Sequence, residues 1–308
     1  MRASARIQGA KGFIGCRHWP CAGPGRCDGY EFAERMVLII WEEMFKRLSY
    51  IGIVGTPKQV YAYSIRRVRF FPAEDRVKTD KRTYMLQFYY NLGPNPMKVA
   101  LFLEEAALDY EAIPIDTRKG EQFTADYLAI NPNAKAPSLV DGETVLFDSN
   151  AILLYLAEKT GQFLPPDRGQ LLSWLMFVAS GVGPYSGQSV HFQAYAPETL
   201  PYAINRYRFE AQRHYSILDD RLANRPYIMG EEYSLIDMAV WGWARLMPRV
   251  IDAIAWNDLQ NLKRLVDEIS LRPAVKRVTE LMAKHTFKTE QDAEANHNMF
   301  PSNNSYTG

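Results

Sequence analysis

The sequence predicts an α/β domain followed by an all-helical one, and three observations predict it. From Met85 the apolar pattern switches between a period of two and a period near 3.6, in the order β-α-β-α-β-β-α. The stretch "GQFLPPDRG", 161 to 169, then punctuates the chain with prolines and glycines. Beyond it no alternating pattern returns, and apolar residues recur at helical spacing. The expected organisation is an extension over 1–84, an α/β domain over 85–160, a linker over 161–169, a helical domain over 170–285 and a tail over 286–308.

Each element has a local reason. "LQFYY" (86–90) is rich in strand formers. It passes through Gly93-Pro94-Asn95-Pro96 into a helix with Val99, Phe102, Leu103 and Ala106 on one face, Asn95 serving as cap and Pro96 as first helical residue. "EAIPID" (111–116) alternates Ile113 and Ile115, and Pro114 confines that strand to a sheet edge. A short helix follows near 124–130. "APSLVDGETVLFD" contains two apolar runs joined by Asp141-Gly142, a hairpin signal. The next helix opens at Ser149 and stops at Gly161, and its "AILLYLA" is apolar nearly all round, which predicts burial. Two strands with a crossover helix, then a hairpin backed by a helix, make a small mixed sheet of the thioredoxin type.

In the second domain, 170–182 reads as one helix, and 201–224 as a long one with Ile204, Tyr207, Ala211, Leu218 and Leu222 facing inward. "YSLIDMAVWGWARL" starts a further helix with a capping box of Ser234 and Asp237. Within it Trp241 and Trp243 are expected to pack in the core. Helices near 258–269 and 272–284 complete the domain. The polar tail from 286 is expected to be largely unstructured, with Met299 and Phe300 as the groups able to dock back.

Charge and cysteines divide the chain. Residues 1–84 carry 16 Lys and Arg against 8 Asp and Glu, whereas 85–308 carry 20 against 27. All three cysteines, Cys16, Cys21 and Cys27, lie in the first part, so the rest has no cysteine nucleophile or disulfide of its own. This composition fits a reducing cytoplasm. The apolar stretch "MVLIIWEEMFKRLSYIGIVG" is cut by Glu42, Glu43, Lys46 and Arg47, which argues against a membrane span. The extension lacks the apolar segment and cleavage site of a secretory signal. It reads as a poorly ordered tail, a mitochondrial presequence or the product of a start codon upstream of Met85. Its Arg66, Arg67 and Arg69 are read as solvated rather than as a nucleic-acid patch. The histidines 191, 214, 285 and 297 show no metal-ligand spacing, and no glycine-rich phosphate loop is present.

Three places can carry chemistry. "NPNAKAPSLV" sets Pro137 at a strand entry behind an Asn-Pro-Asn turn, where the Ala136–Pro137 bond is either ordinary trans or cis. A proline so placed leaves the backbone of Ala136 free to pair with a peptide-like ligand. "FDSNA" puts Asp148 and Ser149 before a helix whose first amides are unpaired, so the pair suits the carboxylate and ammonium of an α-amino acid, and Ser149 can equally be a plain cap. A thiol held over the helix that begins near Asn95 would have its anion favoured, so the sulfur can come from the ligand.

"PNPMKVALFLEEA", "GEQF", "NPNAKAPSLVDG", "FDSNAILLYLAEKTG" and "PYAINRYRFEAQR" together resemble the glutathione transferase superfamily, in particular its bacterial nu-class of glutathione-dependent disulfide-bond reductases. The likeness covers nearly all of 85–285 and none of 1–84. It implies the glutathione transferase fold, glutathione as cosubstrate with no metal, a homodimer, and neither nucleic acid nor membrane as partner. It assigns Asn95 to the sulfur, Gln122 and Lys135 to the glycyl end, Ala136 and Pro137 to the cysteinyl backbone, and Asp148 and Ser149 to the γ-glutamyl head. Arg206 would reach the mouth of the site, which Gln188 and His191 would help line. The nu-class commonly has threonine where this chain has Gly93, so a hydroxyl beside the sulfur is missing. Tyr89 and Tyr90 are the phenols near enough in sequence to replace it, although strand positions favour core packing.

The expected function is thiol-disulfide exchange in which a bound glutathione thiolate attacks a small disulfide. Conjugation to an electrophile or peroxide reduction, beside an apolar cavity lined by Tyr185, Phe192 and Trp243, is the alternative enzyme. A non-catalytic glutathione-binding regulator is the alternative outside enzymology.

Overall fold

The structure, a computed structural model, describes residues 85–305. The readings made for 1–84 lie outside these residues. Strand β1 (Leu86–Tyr90) leads into α1 (Pro94–Glu105), then β2 (Tyr110–Pro114), α2 (Ala125–Ile130), β3 (Ser138–Asp141), β4 (Thr144–Phe147) and α3 (Ser149–Thr160). The sheet order is β2-β1-β3-β4, with β1 parallel to β2 and antiparallel to β3. Pro114 therefore stands on an edge strand, where its missing N–H breaks no central ladder. Gly142 takes a φ of 60° in the hairpin turn, the left-handed conformation that a tight turn requires and glycine supplies.

Nine further α-helices follow among the described residues: α4 (Arg168–Phe177), α5 (Gly183–Ala194), α6 (Pro201–Leu222), α7 (Leu235–Ala244), α8 (Met247–Val250), α9 (Ala253–Asp258), α10 (Gln260–Ser270) and α11 (Pro273–Lys284) form the helical region, and α12 (Ala293–Met299) lies in the tail. This is the thioredoxin-like sheet domain with a helical C-terminal region. Helix α1 is its hub. It packs against α3, α7 and α11, and every residue from Pro96 to Leu103 is buried. The single apolar face expected for it is thus too narrow, because it is covered on all sides and even its Lys98 is buried.

The helical region departs from expectation at 178–194. The predicted helix over 170–182 begins at Arg168, passes through a π turn (Val178–Val182) and continues as α5. The continuation past 182 carries Gly183, Pro184 and Gly187. Gly181 serves close approach, whereas Gly187 is at ordinary contact distance. A Cβ at Gly181 would lie 2.4 Å from the buried His214 ring, and one at Gly187 would meet the Trp243 ring at 3.6 Å.

The tail is ordered, against expectation, because it has partners on both regions. Lys288 N–H donates to Asp116 Oδ2 at 2.7 Å, and Asn298 Nδ2 donates to the Arg118 carbonyl at 3.0 Å. Phe300 then sets its ring 4.9 Å from those of His191 and Tyr195 on the helical side.

Candidate functional site

Strand register gathers three segments at one end of the sheet. Ser138 at the start of β3 lies opposite Tyr89 near the end of β1, and opposite Phe147 at the end of β4. The passage from β1 into α1, the Ala136–Pro137 bond and the passage from β4 into α3 are therefore neighbours. Asn95, Ala136, Pro137, Asp148 and Ser149, far apart in sequence, are brought together in this way. The Ala136–Pro137 bond is cis. Ala136 precedes β3, so its N–H and carbonyl lie outside the sheet ladder.

The start of α1 differs from its expected form. Gly93 is the cap residue, with its N–H bonded to Asn91 Oδ1 at 2.9 Å, and the helix begins at Pro94. Asn95 is the second helical residue rather than the cap. Prolines are tolerated here because the first N–H groups of a helix have no internal acceptor anyway. Their chemical consequence is a scarcity of donors. Pro94 and Pro96 have no N–H, and Met97 N–H already bonds the Gly93 carbonyl at 3.2 Å. Asn95 alone brings both a backbone N–H and a side-chain amide to this turn. Its Oδ1 accepts a hydrogen bond of 3.1 Å from the Trp243 indole of α7.

At the start of α3 the cap is Asp148, not Ser149. Its Oδ1 accepts from the Asn150 and Ala151 amides at 2.8 and 3.1 Å, and its backbone takes a φ of 69°. A left-handed conformation costs a non-glycine residue of order 1 kcal/mol and is kept where surrounding structure imposes it. The second carboxylate oxygen of the exposed Asp148 remains available to an ammonium. The N–H of the buried Ser149 precedes the two capped amides.

Beneath these two helix starts lies Lys98, which sequence reasoning missed. It is 1% exposed, and its ammonium donates to Asn150 Oδ1 at 2.8 Å, tying α1 to α3. Burial pushes its pKa down to about 7, against a smaller upward pull from Asp148. A folded-state pKa below the unfolded value means that the unfolded chain binds more protons between about pH 7 and 10.5. Stability contributed by Lys98 is thus lost as pH falls through 7 and gained as pH rises toward 10. Chemical denaturation at pH 7, 8.5 and 10 should show wild type gaining on Lys98→Met as pH rises; a constant gap would contradict this.

The remaining predicted residues are placed as follows. Lys135 exposes its side chain while its carbonyl accepts from Tyr127 Oη at 2.7 Å and from Asn131 Nδ2 at 2.5 Å. Gln122 is 3% exposed, and its Nε2 donates to the carbonyls of Thr117 at 3.3 Å and Asn298 at 3.0 Å. Its Oε1 is sealed without a partner. As placed, Gln122 clamps the tail and has no amide hydrogen left for a ligand carboxylate. Arg206 pairs with the buried Glu210 at 2.7 Å, which also takes Arg213 at 3.0 Å. Gln188 is exposed on α5. His191 is half-buried between Phe192 and Phe300, and burial lowers its pKa. No contact among the described residues joins Arg206, Gln188 or Lys135 to Asn95.

Of the two phenols, that of Tyr90 is turned away from this task. Tyr90 is fully buried, with its hydroxyl on the Leu281 carbonyl at 3.2 Å and on His285 Nδ1 at 2.8 Å, and burial raises its pKa to about 12. Tyr89 packs its ring 5.8 Å from that of Tyr127, and burial followed by the Glu111 charge raises its pKa also. Both groups hold their protons at neutral pH.

Two cavities of about 680 and 450 Å³, one lined by Glu104, Tyr110 and Arg277, the other by Phe163, Met229 and Tyr233, involve none of these residues. Among the described residues no cluster of His, Cys, Asp and Glu is arranged to hold a metal, and no helix is long and apolar enough to cross a membrane.

Comparison with known proteins agrees with this fold. Residues 85–158 match the glutathione S-transferase N-terminal domain. The disulfide-bond oxidoreductase YfcG of Escherichia coli is 45% identical over 201 residues, which are 62% of this chain and 92% of that protein. A glutathione transferase of Burkholderia graminis, solved with two glutathione molecules per subunit, superposes with a TM-score of 0.61 at 33% identity, over 65% of this chain and 90% of that one. A glutathione transferase of Pseudomonas putida, solved with one glutathione disulfide per subunit, gives 0.60 at 32% identity, over 66% and 94%. By fold, motifs and these similarities the chain belongs to the glutathione S-transferase family of enzymes.

Proposed function

We propose that this enzyme is a glutathione-dependent thiol-disulfide oxidoreductase. The observation that carries the reading is the site's composition: a helix start supplied with donors by Asn95 and a second helix start capped by Asp148 share one sheet end, with no cysteine anywhere in 85–308. The nucleophilic sulfur is therefore the ligand's. Asp148 takes the γ-glutamyl ammonium through its free oxygen, and the N–H of Ser149 takes the adjoining carboxylate. Ala136 pairs with the cysteinyl backbone. Lys135 takes the glycyl carboxylate, since the Gln122 amide is engaged by the tail. Arg206, oriented by Glu210, serves the mouth.

Asn95 and the α1 dipole favour loss of the thiol proton to solvent. The thiolate attacks one sulfur of a small disulfide, forming a mixed disulfide and expelling the other half as thiolate. A second glutathione attacks that mixed disulfide, leaving glutathione disulfide and a second free thiol, so two glutathiones are oxidised for each disulfide reduced. The neighbours solved with two glutathiones or a glutathione disulfide support room for both partners. Such chemistry needs a reducing compartment such as the cytoplasm.

Reduction of hydroxyethyl disulfide by glutathione, compared with conjugation of a chloronitrobenzene, tests the reading. Disulfide turnover should exceed conjugation at least tenfold in kcat/KM, about 1.4 kcal/mol in transition-state preference; the reverse order refutes it. The chain is also proposed to be a homodimer, because Val145 and Phe147 on β4 and Met176 and Phe209 on the helical side are exposed apolar side chains. A monomer in sedimentation at micromolar concentration would contradict that.

A further inference from the structure

The Trp243 indole reaches across from α7 to a residue 148 positions away, and one feature of the backbone, Gly242, makes that reach possible, while two further glycines lie in contact with the ring. Gly242 sits where a Cβ would lie 2.8 Å from the Pro94 carbonyl oxygen and 3.0 Å from Lys98 Cβ, so α7 approaches the start of α1 as closely as backbone allows. Gly183 sits where a Cβ would lie 3.5 Å from Trp243 Nε1, and Gly187 where one would lie 3.6 Å from the far edge of the ring. The indole is seated over the glycine face of α5 with its N–H directed at Asn95.

An indole nitrogen carries one hydrogen and no lone pair for accepting, so it can only donate. The Asn95 atom it meets is therefore the carboxamide oxygen, and this settles an orientation that electron clouds of similar size leave open elsewhere. With Oδ1 held by Trp243, Nδ2 is directed elsewhere with both hydrogens available. Were the amide free to rotate, the anionic sulfur would itself have to orient it, at a cost in side-chain entropy that a preset donor avoids.

We propose that Trp243 is a positioning residue for the reaction: its indole fixes the Asn95 carboxamide so that Nδ2 faces the sulfur of the bound thiol. This rests on the glutathione reading of the site. The effect passes through Asn95 alone, which separates it from a packing role. Packing loss lowers stability and the fraction of folded enzyme. Loss of orientation raises the pKa of the bound thiol.

The test uses the full chain and the ultraviolet absorbance of the thiolate of bound glutathione, titrated in wild type, Trp243→Phe, Asn95→Ala and the double variant. Phenylalanine keeps much of the ring and removes the N–H. In Trp243→Phe the bound-thiol pKa should rise by roughly one unit. The value of kcat at neutral pH should fall roughly five- to tenfold, with KM for glutathione moving less than about threefold. Asn95→Ala should raise the pKa as much or more, and the double variant should add nothing beyond Asn95→Ala. An unchanged bound-thiol pKa in Trp243→Phe, or additive shifts in the double variant, overturns the proposal. Should Trp243→Phe fail to fold, the indole N–H resonance in Asn95→Ala decides. It should move away from its wild-type position, and a resonance that stays put overturns the proposal. Absence of glutathione binding by wild type appears before any substitution is made, and it removes the ligand reading and this inference together.

Discussion

Replacing Asn95 with alanine is expected to lower turnover of a small disulfide roughly 100-fold near neutral pH while leaving glutathione affinity within about threefold of wild type. The size follows from the poverty of donors at this helix start. A typical helix offers several unpaired N–H groups to an anion. Here Pro94 and Pro96 offer none, the Gly93 N–H is held by Asn91, and the Met97 N–H is held by the Gly93 carbonyl. Gly93 has no hydroxyl, and the Tyr90 hydroxyl is engaged by the Leu281 carbonyl and His285 Nδ1. The Asn95 side chain is thus one of two local donors, the other being its own backbone N–H, which alanine keeps. Affinity is expected to survive because the γ-glutamyl and glycyl ends are held by Asp148, Ser149 and Lys135 instead. Steady-state kinetics with a small disulfide, paired with calorimetry on reduced glutathione, reads both quantities. Unchanged kcat with a raised dissociation constant would place Asn95 on the grip of the tripeptide rather than on its sulfur.

What the sequence made legible is what local chemistry decides. The hairpin around Asp141-Gly142, the edge position of Pro114 and the box of Ser234 and Asp237 each depend on residues within a few positions of one another, and each is present. The glutathione-holding residues were legible only as motifs, because resemblance carries long-range placement that spacing does not. Trp243 was read as core for a good local reason: it lies in an apolar helix, and nothing nearby in sequence announces a partner at Asn95. Lys98 and Asn150 are 52 residues apart, and Gln122 and Asn298 are 176 apart. The close approach of Gly181 to His214 was not legible because the two are 33 positions apart. In α1 the reading failed in the opposite sense, since burial on every side leaves no polar face for periodicity to detect.

Removal of the Asp237 carboxylate is expected to be the most destabilising single change in the helical region. The side chain is fully buried, and its Oδ1 accepts from the Ile228 N–H at 2.8 Å while Oδ2 accepts from the Ser234 N–H at 2.8 Å and the Ser234 hydroxyl at 2.9 Å. One carboxylate therefore closes the loop between α6 and α7 and caps α7, the helix that carries Trp243 to Asn95. Asp237→Ala leaves two backbone N–H groups buried without acceptors and should cost about 3–5 kcal/mol. For a chain of this size that corresponds to a fall of roughly 10 °C in Tm, readable by calorimetry. Asp237→Asn separates charge from shape. Burial pushes the Asp237 pKa up to about 6 even against its hydrogen bonds, so the folded state binds more protons than the unfolded one between about pH 4 and 6. Stability from this group is present below pH 4 and is lost as pH rises through 6, whereas asparagine has nothing to titrate. Denaturation of both proteins from pH 4 to 7 should show wild type losing ground to Asp237→Asn as pH rises. A gap that stays constant, or that widens in favour of wild type, would mean that the carboxylate is ionised in the fold throughout and that its three hydrogen bonds outweigh its burial.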